Sequence, residues 1–520
     1  MPNSEIERFA GEYEKYKEEE TAIENTAEKI HVDEIASKVA AFYEKVRNVI
    51  EYRDVHLLRK SAIERALRRR IFLKDFKKDF AEPLIKELIR GGHLPNDTVP
   101  ETKIADIQGI IDNLLALLDL AKSTDRPENS ETANWLVRMF AAKIEEDLFP
   151  SRETALLSQM MYGVIKSNLA LKNIPLSPDD ANLQLFVAVQ RALWRPDDNQ
   201  LRYLLLRIMY PDWGKMPGEE LRETARNLEK TRGMIENILN NPYAPAFSKL
   251  CNREKTIFQL IGDLVSDNVP LDEENIESAI KFRYDRRYFK AKKQLGRLAF
   301  LSVASFLISK LAIAFAIEIP LDQYFYHGVS ITSLAVNILF PPLLMLAIVA
   351  FTKLPSANNY PLVENAVKQV LFQEKGRSYV VVAPKKKGVV TNSVVYIAYA
   401  AVLFAIIYYV SKVLLTLNFS PASIVIFLLF TSMVTATGVK VKNRAKEMSL
   451  ERDTTSVFGF IVDLVTVPFM TIGRWTIAGI SRFNVIVIAF DFLIELPFQF
   501  FIEFLENFRG FIRARKDEIN

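Results

Sequence analysis

The chain has 520 residues, 49% hydrophobic and 25% charged, with a formal net charge of +4 and one cysteine, Cys251. A single cysteine excludes an internal disulfide and fits a reducing compartment. The small net charge hides an asymmetry that excludes a uniform globular chain. Residues 1–280 carry 39 Lys/Arg against 48 Asp/Glu, residues 281–297 carry eight against one, and residues 298–520 carry 20 against 14. Charge thins out after position 297, which separates water-solvated from lipid-solvated sequence.

The first 280 residues read as a soluble, all-helical cytoplasmic domain. The opening MPNSEIERFAGEYEKYKEEE has neither the basic nor the apolar region of a signal peptide, so export by a cleaved signal is not expected. Helices are predicted over 5–30, 32–60, 54–90, 101–122, 131–147, 151–171, 179–194, 197–209, 218–240, 252–266 and 272–290. Leu58, Ala62, Ala66 and Ile63, Leu67, Ile71 follow a helical period, and Gly91-Gly92 followed by Pro95 mark a stop. Asp179 and Asp197 follow prolines and read as helix starts. The stretch Arg59–Lys78 holds nine basic residues interleaved with Glu64, Asp75 and Asp79. Such a helix suits an anionic surface, or a solvated face with internal ion pairs. The net-acidic domain around it argues against nucleic acid.

Residues 281–297, KFRYDRRYFKAKKQLGR, form a basic juxtamembrane stalk, expected to be one helix running into the first span. Arg283, Arg286, Arg287, Lys290, Lys292 and Lys293 are its candidate contacts to the anionic lipid of an inner leaflet. Four apolar runs follow, at 298–319, 329–351, 394–416 and 420–438, each long enough for about 30 Å of bilayer. They make two transmembrane hairpins, 298–351 and 394–438, joined by a basic cytoplasmic loop over 352–393. Lys353, Lys368, Lys375, Arg377 and Lys385–Lys387 lie in that loop, and Lys440, Lys442, Arg444 and Lys446 follow the fourth span. The two short turns carry no Lys or Arg. The positive-inside rule then predicts a multi-pass protein of the cell membrane with both termini cytoplasmic. A hairpin around Tyr379–Val390 is the one β element expected.

Within the spans, Lys310 is a charge near the centre of the first, which makes it a functional candidate by default. Glu318 and Lys412 lie near span ends, where they are expected to snorkel. Pro341-Pro342 cannot donate to the carbonyls of Asn337 and Ile338, so a kink or break is expected there. Residues 439–520 read as amphipathic or re-entrant membrane-associated helices. Over 484–508, Asp491, Glu495, Gln499 and Glu503 recur every four residues as one polar stripe on an otherwise apolar helix. Interfacial, spanning and protein-packed placements all accommodate it. Lys310, Asn337, Asp491, Glu495, Gln499 and Glu503 form the candidate intramembrane polar site.

Chemistry-bearing motifs are absent. There is no phosphate loop, no GxGxxG, no HExxH and no GxSxG, and His31, His56, His93 and His327 are scattered. No enzyme activity, cofactor, metal or nucleic-acid partner is expected. The reading is an all-α protein, with a cytoplasmic multi-helix domain followed by a polytopic helical membrane domain. It serves as a membrane-anchored scaffold or complex subunit that binds membrane lipids and protein partners, and is compatible with a homo-oligomer. The alternatives are a transporter or channel component using the intramembrane polar residues, and a membrane-bound enzyme.

Overall fold

Long glycine-poor runs build helices wherever the chain can be followed. The computed structural model describes residues 3–24, 28–32, 55–73, 80–122, 129–271, 276–326, 328, 330–352, 354–356, 358–372, 377–383, 389–450 and 466–477. About 80% of the structure is helical, so the all-α class holds. The predicted helix over 32–60 falls mostly outside the described residues, as does the whole of 484–508.

The chain divides into two compact units. Among the described residues, the first comprises everything up to Leu271 together with Val367–Pro384. Its helices are α1 (Ser4–Glu24), α2 (Val55–Leu73), α3 (Ala81–Arg90), α4 (Thr102–Lys122), α5 (Asn129–Leu148), α6 (Arg152–Ser167), α7 (Pro178–Leu193), α8 (Asp198–Met209), α9 (Gly218–Leu239) and α10 (Ala244–Ser266). α2, α4 and α8 pack on α5, with α3 and α9 on α4. Trp213 is fully buried in their core, edge-on to Trp135 at 6.5 Å and tilted against Phe140 at 5.1 Å. A second group, α1, α6, α7 and α10, buries Ile257, Phe258, Ile261 and Leu264. Cys251 sits in α10, fully buried, and burial pushes its thiol up to about 12.

Sequence starts and stops are mostly where their chemistry demands. Asp197 caps α8 with a reciprocal bond from Gln200, a capping box. At α7 the cap is Ser177, one residue before Pro178, so Asp179 sits in the first turn rather than at its start. The basic helix α2 is spent internally. Arg59 pairs with Glu145 at 2.9 Å, both nearly inaccessible, and Lys60 bonds Asp197. Arg68 pairs with Glu64 at 2.8 Å, and Arg69 with Glu87. Burial raises the Glu145 carboxyl above its ordinary value, and Arg59 opposes that shift.

Among the described residues, Tyr379–Val390 contributes one strand and no hairpin. Instead β2 (Tyr379–Val382) pairs in parallel with β1 (Leu169–Lys172), Leu169 opposite Tyr379 and Lys172 opposite Val382. Helix resumes at Val389. The β-branched run YVVV alternates, with Tyr379 and Val381 buried and Val380 and Val382 exposed, as a one-sided strand should. Its partner strand replaces the last residues of the helix predicted over 151–171, which ends at Ser167.

The second unit comprises Asp272–Ala366 and the chain from Lys385 to Pro497. α11 (Ile276–Ile313) is a single helix through the basic stalk and into the first apolar run. A π turn, Ala314–Glu318, leads into α12 (Ile319–Tyr326). Pro320 cannot donate to the carbonyl of Ala316, and the wider turn gives its ring room. α13 (Ile331–Ala350) runs unbroken through Pro341 and Pro342, both buried. α14 (Asn359–Phe372) crosses the division between the units, and α15 (Val389–Thr416) and α16 (Pro421–Ala445) complete the set. Among the described residues, four helices are long and apolar enough to cross a membrane. α11, α13 and α16 pack on one another, and α15 lies against α16. α15 exposes Tyr396, Ile397, Phe404 and Tyr409.

At one end of this unit three separate segments meet. Asn359 Nδ2 donates to Tyr284 Oη at 2.9 Å and to the Met448 carbonyl at 2.8 Å, and Leu450 N–H donates to Asn359 Oδ1 at 2.7 Å. Tyr360 lies edge-on to Tyr284 at 5.3 Å. A further helical stretch over 466–477 packs on α16 through Gly473, where an added Cβ would fall 2.0 Å from the Ser432 carbonyl oxygen. Small residues permit such close approach between apolar helices. Gly473→Ala is therefore expected to destabilise the protein by about 1–3 kcal/mol, the usual cost of overpacking. Gly296→Ala has open space around it and should stabilise α11 by roughly 0.5–1 kcal/mol. Thermal unfolding midpoints of the two variants in one detergent check the opposite signs.

Candidate functional site

The apolar unit carries a cluster of buried charged and polar side chains. Lys310 on α11 and Glu318 on the π turn form an ion pair, Nζ to Oε2 3.0 Å, both essentially without solvent access. The π turn is what aligns them. In a regular helix positions eight apart are about 80° out of register, and a wider turn advances fewer degrees per residue and closes that gap. Asn337 on α13 donates through Nδ2 to Glu318 Oε1 and, at 3.4 Å, to the Ser423 carbonyl on α16. Ser423 Oγ donates to Asp322 Oδ2 on α12 at 3.3 Å. The Lys310 ammonium also sits 5.0 Å from the Phe430 ring centroid, a cation–π contact.

The cluster holds one base, Lys310, and two acids, Glu318 and Asp322, each at least 95% buried. Buried charge of this kind is costly unless paired; among the described residues Lys310 and Glu318 pair with each other, and Asp322 is held by the Ser423 hydroxyl without a basic partner. Two buried oxygens in it have no hydrogen-bond partner, Asp322 Oδ1 and Asn337 Oδ1. The Asn337 amide is oriented by its neighbours, because two oxygens face Nδ2 and only a donor can satisfy them.

Of the expected site residues, Lys310 and Asn337 are brought together, joined through Glu318. Asp491, Glu495, Gln499 and Glu503 lie outside the described residues. Glu318 does not snorkel: it is 1% exposed and central to the cluster, whereas Lys412 is exposed. Asp322 and Ser423 were not anticipated. Their signal was faint: Asp322 follows Pro320 at a span end, and Ser423 lies next to the N-cap Ser420.

The stalk residues divide. Arg286, Lys290, Lys292 and Lys293 are exposed and Arg287 is half-buried, whereas Arg283 is buried and donates to the Ala279 carbonyl at 3.2 Å. Among the described residues no group of three or more His, Cys, Asp or Glu side chains is placed to hold a metal ion. No protein-family model matches the chain, and neither a curated protein nor a solved structure matches it.

Proposed function

We propose that this chain is a multi-pass protein of the cell membrane whose cytoplasmic helical domain docks protein partners and whose apolar helices anchor the resulting complex. The observation that carries the reading is the incorporation of the segment between the second and third apolar helices into the first unit. β2 pairs with β1, Arg377 faces Glu254 at 2.7 Å, and the Leu371 carbonyl accepts from Asn3 N–H at 2.9 Å. The segment between the second and third apolar helices thus folds as part of the first unit rather than as a free loop. The sidedness rests on the junction of Tyr284, Asn359 and Met448. These residues precede the first span, separate the hairpins and follow the fourth, so an even number of crossings lies between each. In sequence the Lys/Arg-rich segments fall in the same three stretches as these residues, which supports a cytoplasmic assignment.

Two measurements test the proposal. With Cys251 replaced by Ala, a cysteine at Gly328 should react with an impermeant maleimide on intact cells, and one at Lys290 only after permeabilisation. Affinity capture from native membranes should recover the same partners with the full chain and lose them when exposed residues of the first unit are substituted. A solitary species at native expression levels would sink the docking role.

The buried cluster favours a second reading, an ion-handling membrane component. Reconstituted flux that disappears in Asp322→Asn would support it, and vesicles impermeable to small ions would count against it.

A further inference from the structure

Among the described residues the cluster sets one base against two acids, and its two unpartnered atoms are both oxygen acceptors. They belong to two side chains that bond the same residue, Ser423. Asp322 is held by the Ser423 hydroxyl through its other oxygen, and Asn337 is held by the Ser423 carbonyl through its nitrogen. One serine on α16 therefore orients a carboxylate from α12 and an amide carbonyl from α13. Lys310 is not the missing partner: its ammonium is engaged by Glu318 and by the Phe430 ring. Oxygen-only ligation with one uncompensated negative charge defines the chemistry. A hard cation is favoured by the oxygens. A single charge is favoured by the balance, because a divalent ion would leave a buried excess of positive charge.

We propose that Asp322 and Asn337 form a binding site for one monovalent alkali cation, organised by Ser423 and lying beside the Lys310–Glu318 pair. The inference deepens the ion-handling reading and does not require flux: a static ion would lock α12 to α13 and α16 as effectively as a transported one. Binding is therefore measured directly, so that its failure and the failure of transport are separate results.

The experiment uses the full chain in lipid nanodiscs with radiolabelled sodium, competed by unlabelled sodium, potassium or choline. Saturable binding at one site per chain is expected, displaced by sodium or potassium and not by choline. The sodium and potassium arms show which alkali ion the site prefers. Asp322→Asn should weaken binding roughly tenfold or more, since it removes the charge that the ion neutralises. Ser423→Ala should weaken it several-fold by releasing the carboxylate. Lys412→Gln, at an exposed position, should leave it unchanged. Asn337→Asp adds a second negative charge and should shift preference toward calcium. If Asp322→Asn does not fold, Ser423→Ala and Asn337→Asp still decide the matter. Absence of saturable sodium and potassium binding to the wild type overturns the proposal. So does undiminished binding in Asp322→Asn or Ser423→Ala, and so does a wild type that prefers calcium to both alkali ions.

Discussion

Glu318→Ala is expected to cost about 3–5 kcal/mol of stability, the penalty for leaving one member of a buried ion pair without its partner. The Lys310 ammonium has no solvent to retreat to, and its remaining neighbour is the Phe430 ring face. Asn337 would lose an acceptor in the same step, which adds a second unmet polar group. Glu318→Gln should cost less, because its amide oxygen still accepts. Lys310→Met should also be costly, leaving the Glu318 carboxylate with only the Asn337 amide. The double variant Lys310→Met/Glu318→Ala removes both charges together and should be more stable than either charge-stranding single variant. Equilibrium unfolding in mixed micelles of rising denaturing-detergent content measures all four, and the double-mutant cycle isolates the pair. Additive losses would show that the two side chains do not depend on each other.

Which parts of this arrangement were legible in the sequence depends on the range of the interaction. Helices such as α8 and α9 and the four apolar runs are written in local periodicity and caps, and they form where those signals stand. Lys310 stood out because a charge amid apolar residues is rare, and Asn337 because it precedes two prolines. Glu318 was misplaced for a specific reason. Its place near a span end suggested snorkelling, whereas the π turn before Pro320 brings it onto the Lys310 face. Pro341 and Pro342 show the converse, a local disruption that the helix takes up without a break. The basic run on α2 read as either a solvated face with internal ion pairs or a surface for anions. Its partners Glu145 and Asp197 are distant in sequence, so composition alone could not reveal that Arg59 and Lys60 are consumed in the core. β1 was invisible for the same reason. LALK has no strand character of its own, and it becomes a strand because YVVV, some two hundred residues later, supplies the ladder.

That long-range pairing sets up the other large effect. Glu254 on α10 is fully buried and faces two arginines, Arg377 at 2.7 Å and Arg253 at 2.8 Å. Arg253 is more than half exposed and is weakened by solvent, so Arg377 is the more effective counter-charge although its contact is not an aligned hydrogen bond. Tyr379, two residues on, has its phenol raised above the ordinary value, first by burial and then by the charge of Glu254. Arg377→Ala should therefore cost about 3 kcal/mol, the low end for a broken buried pair, because Arg253 remains. The loss should be felt first at the β1–β2 ladder, since Arg377 enters β2. Hydrogen exchange of the Tyr379 and Ala383 amides, which donate to the carbonyls of Asn168 and Lys172, reports the ladder directly. Both should exchange faster in Arg377→Ala, with α4 and α5 unchanged. Arg377→Ala/Glu254→Gln removes the stranded charge and should recover most of the stability. If the ladder stays protected in Arg377→Ala, strand pairing holds the inter-span segment by itself. The segment would then owe its place in the first unit to the backbone rather than to the ion pair.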